Sequence, residues 1–164
     1  MIVLKHKKRN IKKLFEPNMK NTRNRNIFLD ADVICDLWLN RGHHAKNVEY
    51  IFDYAQRRSI ILHVCSYTFA IGYYLMRRDK NTPHKIALSV LEDMFPKVKC
   101  VPVDGAIIQQ AMKSGFGDYE DAIQYYCALK IPGCEIITRN TKDFALSNVP
   151  VLTPRIFLRR HLSK

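Results

Sequence analysis

The stretch that most constrains the fold lies at residues 26–38, where an apolar run ends at an acid and a helical pattern begins. Residues 27–29 form the run, Asp30 ends it and Asp32 follows. A short apolar run bounded by a polar residue predicts a buried strand, and Asp32 is suited to cap the next helix. Asp30 is then expected at the carboxyl end of a buried strand, where open α/β sheets bind ligands.

The rest of the chain repeats this alternation of short apolar runs with helical periodicity. Further strands are predicted at residues 60–64, 99–103, 135–138 and 149–152, with helices between them. Strands that alternate with helices predict an α/β fold, in which a mostly parallel sheet of four to five strands is covered on both faces. A length of 164 residues suits one such domain.

Positive charge is concentrated at the beginning of the sequence. The net charge is +12, and residues 1–25 contribute +8 of it, from nine Lys or Arg and one acid. Blocks of like charge tend to stay disordered, so we expect a basic tail at residues 1–25 and one domain at 26–164. The tail is interpreted as a nucleic-acid-binding arm, as a solvated extension or as a consequence of start-codon choice.

Cysteine spacing and hydropathy limit the class of protein further. Five cysteines are widely spaced and form no C-x-x-C pair, which argues against a zinc site. Free thiols are typical of a reducing cytoplasm. No apolar run approaches the ~20 residues of a membrane span, so we expect a cytoplasmic protein.

A second acidic motif is expected to meet the first. Asp118 and Asp121 lie three positions apart at a predicted helix start, so they share one helix face and can point toward Asp30. Clustered carboxylates without a buried Lys or Arg are costly unless a cation lies among them. Mg²⁺ or Mn²⁺ is the natural choice, because hard cations prefer oxygen ligands. The alternative is that Asp118 is only a helix cap and Asp121 only a surface acid.

Three segments then resemble a known family. They are FLDADV at residues 28–33, GDYEDAIQ at 117–124 and TRNTKDF at 138–144, and in this order they resemble the PIN domain. The likeness is greatest to VapC-type toxins of bacterial toxin–antitoxin systems. It implies a three-layer α/β/α fold, a Mg²⁺- or Mn²⁺-dependent endoribonuclease acting on RNA, a small antitoxin as partner and a homodimer.

The resemblance also assigns roles to residues. Asp30 matches the first acid of the family site and Asp121 the third, with Asp118 beside it as a further metal ligand. Asn140 or Asp143 matches the last site position, and Thr138 is expected to reach the site through its hydroxyl. Basic residues around the site are expected to contact the phosphates of RNA, namely Arg77, Arg78, Arg139 and Lys142.

One departure from the family pattern lies in the third helix. Relatives usually carry a Glu there, but residues 66–78 contain no acid, and Ile71 occupies its place. Asn140 also stands where many relatives carry Asp. We therefore expect weakened activity and a gain of metal binding in Ile71→Glu. If Ile71 is instead a core residue, the new Glu destabilises the domain, and a catalytically degenerate module that binds RNA or a protein partner becomes the alternative.

A different family shares part of the pattern. Asp30, Asp32, Ser66 and the acids at 118–121 also resemble motifs of haloacid-dehalogenase-type phosphatases. In that interpretation Asp30 is a nucleophile, Asp32 an acid/base and Ser66 a phosphate contact. The segment at 138–144 has no role there, and no suitable Lys for the phosphate is evident.

Overall fold

Five parallel strands form one sheet at the centre of residues 26–162, the part of the chain that this computed structural model describes. The spatial order is β3-β2-β1-β4-β5, so β1 is the central strand. The strands are β1 (Asn26–Leu29), β2 (Ile61–Cys65), β3 (Lys99–Val101), β4 (Cys134–Ile137) and β5 (Val151–Leu152). The predicted parallel sheet is confirmed, with every strand pair parallel.

Helices cover both faces of the sheet, which confirms the three-layer α/β/α fold class. The helices are α1 (Ala31–Trp38), α2 (His43–Arg58), α3 (Thr68–Asp79), α4 (His84–Met94), α5 (Gly105–Met112), α6 (Tyr119–Leu129) and α7 (Pro154–Leu162). α1, α2 and α7 share one apolar cluster with the sheet, and α5 and α6 share another. α3 and α4 flank this arrangement and pack on α1.

The alternation of side chains along β1 explains why two clusters form. Ile27 and Leu29 face the α1/α2/α7 cluster and Phe28 faces the α5/α6 cluster, each at most 1% exposed. Successive strand residues point to opposite faces, so a continuous apolar run supplies both cores at once. Burial of each such side chain stabilises the fold by about 1.5–3 kcal/mol.

Close packing of α1 against α3 depends on Gly72. A Cβ atom at this position would lie 2.1 Å from the ring of Trp38, so only glycine lets the two helices approach. Ile71, beside it, packs with Cys35, Leu39 and Met76 in a third apolar cluster. The interface of α1 and α3 is therefore an apolar contact.

The carboxyl ends of the strands meet at one edge, hereafter the carboxyl edge. Asp30 follows β1 and donates its N–H to Ile137 O at 3.0 Å, and Thr138 follows β4 and donates to Leu152 O at 3.0 Å. Asp30 itself is the N-cap residue of α1. The prediction that Asp32 caps this helix is wrong, because the helix begins two residues earlier than expected and Asp32 lies in its first turn.

The basic tail predicted at residues 1–25 lies outside the described residues. Within residues 26–162 all five cysteines are free thiols. No helix in this range combines the length and the apolar composition needed to cross a membrane.

Candidate active site

Asp30 is the most buried acid at the carboxyl edge. Its side chain is held by Thr138, whose hydroxyl donates to Asp30 Oδ2 at 2.6 Å, and by fully buried Gln124. Gln124 Oε1 also accepts the N–H of Ala31 at 2.7 Å. Burial raises the pKa of Asp30 to about 6, the charge of Asp32 adds to this rise, and the hydrogen bonds oppose it.

The start of α6 brings a group of acids to the same edge. Asp118 caps the helix, with its Oδ1 accepting the N–H of Glu120 at 2.8 Å and of Asp121 at 3.2 Å. Burial raises the pKa of Asp121 to about 7, and the charges of Asp30, Asp118 and Asp143 raise it further. Asp121 and Asp30 therefore lie within electrostatic range of each other.

Glu120 is a site residue that the sequence argument missed. Burial raises its pKa, and the charge of Asp30 is the next largest cause, while a hydrogen bond with Tyr67 opposes the shift. Tyr67 lies at the start of α3, next to the carboxyl end of β2. Residues at i and i+3 share a helix face, so the sequence analysis paired Asp118 with Asp121 and left Glu120 out. The signal that could have found Glu120 is the density of three acids in four positions.

The segment after β4 completes the edge. Asn140 donates its backbone N–H to Thr138 Oγ1 at 3.1 Å, and its side-chain amide donates to Asp143. The charge of Asp143 raises the pKa of Asp121, so Asp143 belongs to the same acidic group. Asn140, Lys142 and Asp143 are exposed and form the rim of this edge.

Arg139 occupies a different position from the one predicted. Its guanidinium bridges two acids of α1, with 2.8 Å to Asp32 Oδ2 and 3.2 Å to Asp36 Oδ1. Asp36 is 1% exposed and also pairs with Arg41 at 3.3 Å. The predicted phosphate contact of Arg139 therefore competes with a structural ion-pair network.

Arg77 and Arg78 lie away from the acids. They are in the last turn of α3, about 14 Å along the helix from Thr68 at ~1.5 Å per residue. Arg77 donates to the carbonyl of Thr82 at 2.7 Å, and Arg78 pairs with Asp79 and lies over Tyr74. Lys142 is therefore the only one of the four predicted phosphate contacts that stands exposed beside the site without an ion pair in the described part of the chain.

Ile71 does not point to a vacated ligand position. It packs on the apolar cluster between α1, α3 and α4, which favours the alternative in which Ile71 is a core residue. Tyr67, four positions earlier, is the residue of this region that contacts the acids.

The donor chemistry of the edge fits a hard divalent cation. Asp30, Glu120 and Asp121 offer only oxygen atoms, and no Lys or Arg within residues 26–162 donates to them. Like charges repel, so carboxylates that share a site separate unless a cation lies between them. In this arrangement no three His, Cys, Asp or Glu side chains of the described range converge as a finished metal centre.

Comparison with known proteins identifies one family from the sequence and several solved structures with a similar fold. A sequence profile of the PIN domain family matches residues 26–142. No curated protein matches the sequence. Among solved structures, VapBC from Salmonella typhimurium bound to DNA has a TM-score of 0.59 at 14% identity, covering 79% of this chain and 98% of that one.

Two further structures are similar. VapBC2 from Rickettsia felis, bound to a promoter DNA fragment, has a TM-score of 0.56 at 12% identity over 78% of this chain and 98% of that one. VapC20 from Mycobacterium tuberculosis, described as a toxin that cleaves the sarcin-ricin loop, has a TM-score of 0.55 at 12% identity over 73% and 94%. At such identities the likeness establishes the fold.

Proposed function

Since the chain belongs to the PIN domain family, we propose that it is a Mg²⁺- or Mn²⁺-dependent endoribonuclease and the toxin of a type II toxin–antitoxin pair. Its structural neighbours are toxins of such systems. The family match gives no support to the phosphatase alternative.

The observation that carries this proposal is the gathering of unneutralised acids from three distant segments. Asp30 follows β1, Glu120 and Asp121 begin α6, and Asp143 follows β4. The charge of Asp30 nevertheless raises the pKa of Glu120 and of Asp121, and the charge of Asp143 raises the pKa of Asp121. A fold retains such an arrangement against its electrostatic cost where the acids serve a cation or a reaction. The alternative of isolated helix caps accounts for Asp118, whose side chain caps α6. It does not account for Asp30, which occupies the N-cap position of α1 but makes no side-chain cap hydrogen bond.

In the proposed mechanism Asp30, Asp118 and Asp121 would hold the ion. A bound divalent ion lowers the pKa of a water and neutralises charge on the scissile phosphate. Thr138 keeps Asp30 oriented and favours its ionised form. Asn140 and Asp143, joined to each other at the rim, are placed to orient a water, and Lys142 to contact a backbone phosphate.

Glu120 is proposed as the acid that compensates for the missing Glu of α3. It comes from α6 rather than α3, and Tyr67 from the start of α3 fixes it by a hydrogen bond. Loss of one carboxylate contact costs on the order of 1–3 kcal/mol, which is roughly ten- to a hundredfold in metal affinity. We expect Glu120→Gln to raise the Mn²⁺ concentration needed for activity by that factor, and Tyr67→Phe by less.

The proposed partners follow from the structural neighbours. VapBC structures contain the toxin with its antitoxin, so we propose a small antitoxin partner, a homodimer and a cytoplasmic site of action. A catalytically degenerate PIN domain that binds RNA or a partner is the second candidate, favoured by the absence of an acid from residues 66–78.

The decisive experiment is cleavage of RNA by purified protein with Mn²⁺ or Mg²⁺ and with excess EDTA. Asp30→Asn and Asp121→Asn should abolish cleavage, whereas Asp53→Asn, an exposed surface acid, should not. Equal cleavage in EDTA would refute the metal mechanism. RNA binding without cleavage under any metal would establish the degenerate module, and phosphate release from small phosphomonoesters would revive the phosphatase.

A further inference from the structure

A strongly basic surface lies where the last turns of α2 and α7 meet. Tyr54, one turn before the end of α2, contacts Phe157 and His161 of α7 with ring centroids 5.7 and 5.4 Å apart. The guanidinium of Arg58 lies 5.9 Å from the same Tyr54 ring. The ends of the two helices are therefore packed side by side.

Four exposed arginines share this place, and we name them the α2/α7 basic end: Arg57, Arg58, Arg159 and Arg160. Arg57 pairs loosely with Asp53 at 3.6 Å, and both side chains are more than half exposed. Within residues 26–162 the other three make no ion pair. α7 contains no acid, and Asp53 is the only one in residues 50–58.

The α2/α7 basic end lies at the opposite end of the sheet from the acids. α2 ends three residues before β2 begins, and α7 runs back from the carboxyl end of β5. From Asn26 at the start of β1 to Asp30 the strand rises ~13 Å at ~3.3 Å per residue. The two charged regions are thus separate surfaces of one domain.

Most of the positive charge of the sequence precedes the first strand. Residues 1–25 carry a net charge of +8 and join the domain at Asn26, the residue that opens β1. Asn26 pairs with Ile61, just beyond the end of α2. Asn26 therefore places the first described residue at the amino end of the sheet, the end at which α2 finishes.

An acidic edge by itself repels RNA, so affinity must come from cations elsewhere. Three of the four predicted phosphate contacts are engaged elsewhere. Arg139 is in ion pairs with Asp32 and Asp36, and Arg77 and Arg78 have partners at the far end of α3. Electrostatic contacts to phosphates dominate the affinity of proteins for nucleic acids. An enzyme of this kind therefore needs a basic surface away from the acids to bind RNA.

We propose that the α2/α7 basic end binds the phosphate backbone of an RNA whose scissile bond lies at the acidic edge. The inference rests on the proposed function and specifies its substrate class. The RNA has to span both surfaces, so it is a folded RNA or a long strand rather than a few nucleotides. The contacts are to phosphates and carry no sequence specificity.

A simpler explanation is that the arginines only compensate the dipoles of α2 and α7. Cations in a last helical turn stabilise a helix by about 0.3–1 kcal/mol each. This explanation predicts an effect on stability and none on RNA. The two interpretations therefore separate in one set of variants.

The test compares two triple variants of the full chain, each also carrying Asp30→Asn so that no cleavage occurs. One is Arg58→Gln/Arg159→Gln/Arg160→Gln. The matched control removes three exposed lysines outside the surface, Lys46→Gln/Lys85→Gln/Lys113→Gln. Affinity for an RNA hairpin is measured in EDTA by fluorescence anisotropy over a range of salt concentrations, with a melting curve for each protein.

We expect the arginine variant to bind the hairpin on the order of tenfold more weakly, with the slope of log K against log salt reduced by about 2–3, close to one per phosphate contact. The lysine control should keep its affinity and slope. Without Asp30→Asn, the arginine variant should cut a short oligonucleotide normally and the hairpin poorly.

Two results would overturn the proposal. Unchanged hairpin affinity with a lower melting temperature would assign the arginines to the helix ends. Tighter binding of a DNA duplex than of RNA would assign the surface to DNA. Binding in EDTA requires neither metal nor cleavage, so a protein that never cuts RNA can still pass or fail this test.

Discussion

Two buried aspartates near opposite ends of α1 differ in the charge of their neighbours. Asp36 is 1% exposed and lies against Arg41 and Arg139, with His44 at 4.0 Å. Asp30 is 4% exposed and lies against a hydroxyl, an amide and other acids. Burial is nearly equal, so the difference is the presence of a cation.

Under the proposed function, this difference separates an acid that supports the fold from an acid that would hold the ion. A pKa raised from 3.8 to about 6 corresponds to about 3 kcal/mol of unfavourable free energy in the ionised form of Asp30. Around Asp36 two guanidinium groups offset the same desolvation. Two arginines therefore neutralise buried Asp36, six residues from Asp30, whereas no Lys or Arg of the described residues pairs with Asp30.

The comparison is tested most strongly by replacing each aspartate with asparagine. Asp30→Asn should lower RNA cleavage at least about a hundredfold, because it removes a charge that would hold the ion. In metal-free buffer at about pH 8 it should raise the free energy of unfolding by about 1–3 kcal/mol. Asp36→Asn should lower that free energy by about 2–3 kcal/mol, since two charge-assisted hydrogen bonds lose their acceptor charge.

Urea unfolding monitored by circular dichroism measures both variants. The opposite signs are the essential result. If Asp30→Asn destabilises the metal-free protein as much as Asp36→Asn does, then Asp30 is also a structural acid and the distinction fails.

A new acid at Ile71 tests whether α3 can still join the acidic group. Ile71 packs on Cys35, Leu39 and Met76, so Ile71→Glu would place a charge against an apolar cluster. We expect a loss of about 1–3 kcal/mol in unfolding free energy and no gain in Mn²⁺ affinity by calorimetry. Ile71→Gln, similar in size but uncharged, is the matched control. Tighter Mn²⁺ binding at unchanged stability would contradict the packing argument.

The pH dependence of stability reports the uncompensated acids directly. The pKa values of Asp30 and Asp121 are raised to about 6 and about 7, so between about pH 4 and 7 the folded state binds more protons than the unfolded state. Stability of the metal-free protein should therefore fall as pH rises through this window. His63, whose pKa is lowered from 6.5 by burial and by Lys99, opposes the trend as pH rises toward 6.5.

Melting curves from about pH 5 to 8 provide the measurement, with Asp30→Asn/Asp121→Asn as the reference. The difference between the two proteins isolates the two acids from His63. Saturating Mn²⁺ should restore stability at the alkaline end for the parent protein alone. Parallel curves for both proteins would mean that neither acid is perturbed.

The smallest effect is expected at Thr138. Its hydroxyl donates to Asp30 and lowers the pKa of that acid, so Thr138→Val should raise the pKa further. The acidic limb of the pH–rate profile should move to higher pH by less than about one unit, while the rate at alkaline pH changes little. Thr138→Ser keeps the hydroxyl and should restore the profile. A uniform loss of rate at every pH would indicate a packing role instead.

Local patterns in the sequence were enough to predict the fold and the edge of the sheet at which the first acids lie. The apolar run before Asp30 is continuous because β1 is buried on both faces, and the alternation of strands and helices predicts parallel strands whose carboxyl ends coincide. Asp30 and the acids of α6 therefore meet by topology, without any knowledge of side-chain positions. Asp118 and Asp121 could be paired from helical spacing.

The partners of charged side chains were decided only by the tertiary structure. Arg139 follows a strand at the carboxyl edge. Nothing in TRNTKDF at residues 138–144 reveals that its guanidinium lies 3.2 Å from Asp36 Oδ1. Glu120 lies among the acids, where Tyr67 from the start of α3 bonds to it. Ile71 lies in an apolar cluster instead, because Gly72 lets α3 pack closely on Trp38. Periodicity and strand order depend on residues close in sequence, whereas an ion pair or a hydrogen bond depends on distances of a few ångströms between segments that only the packed core brings together.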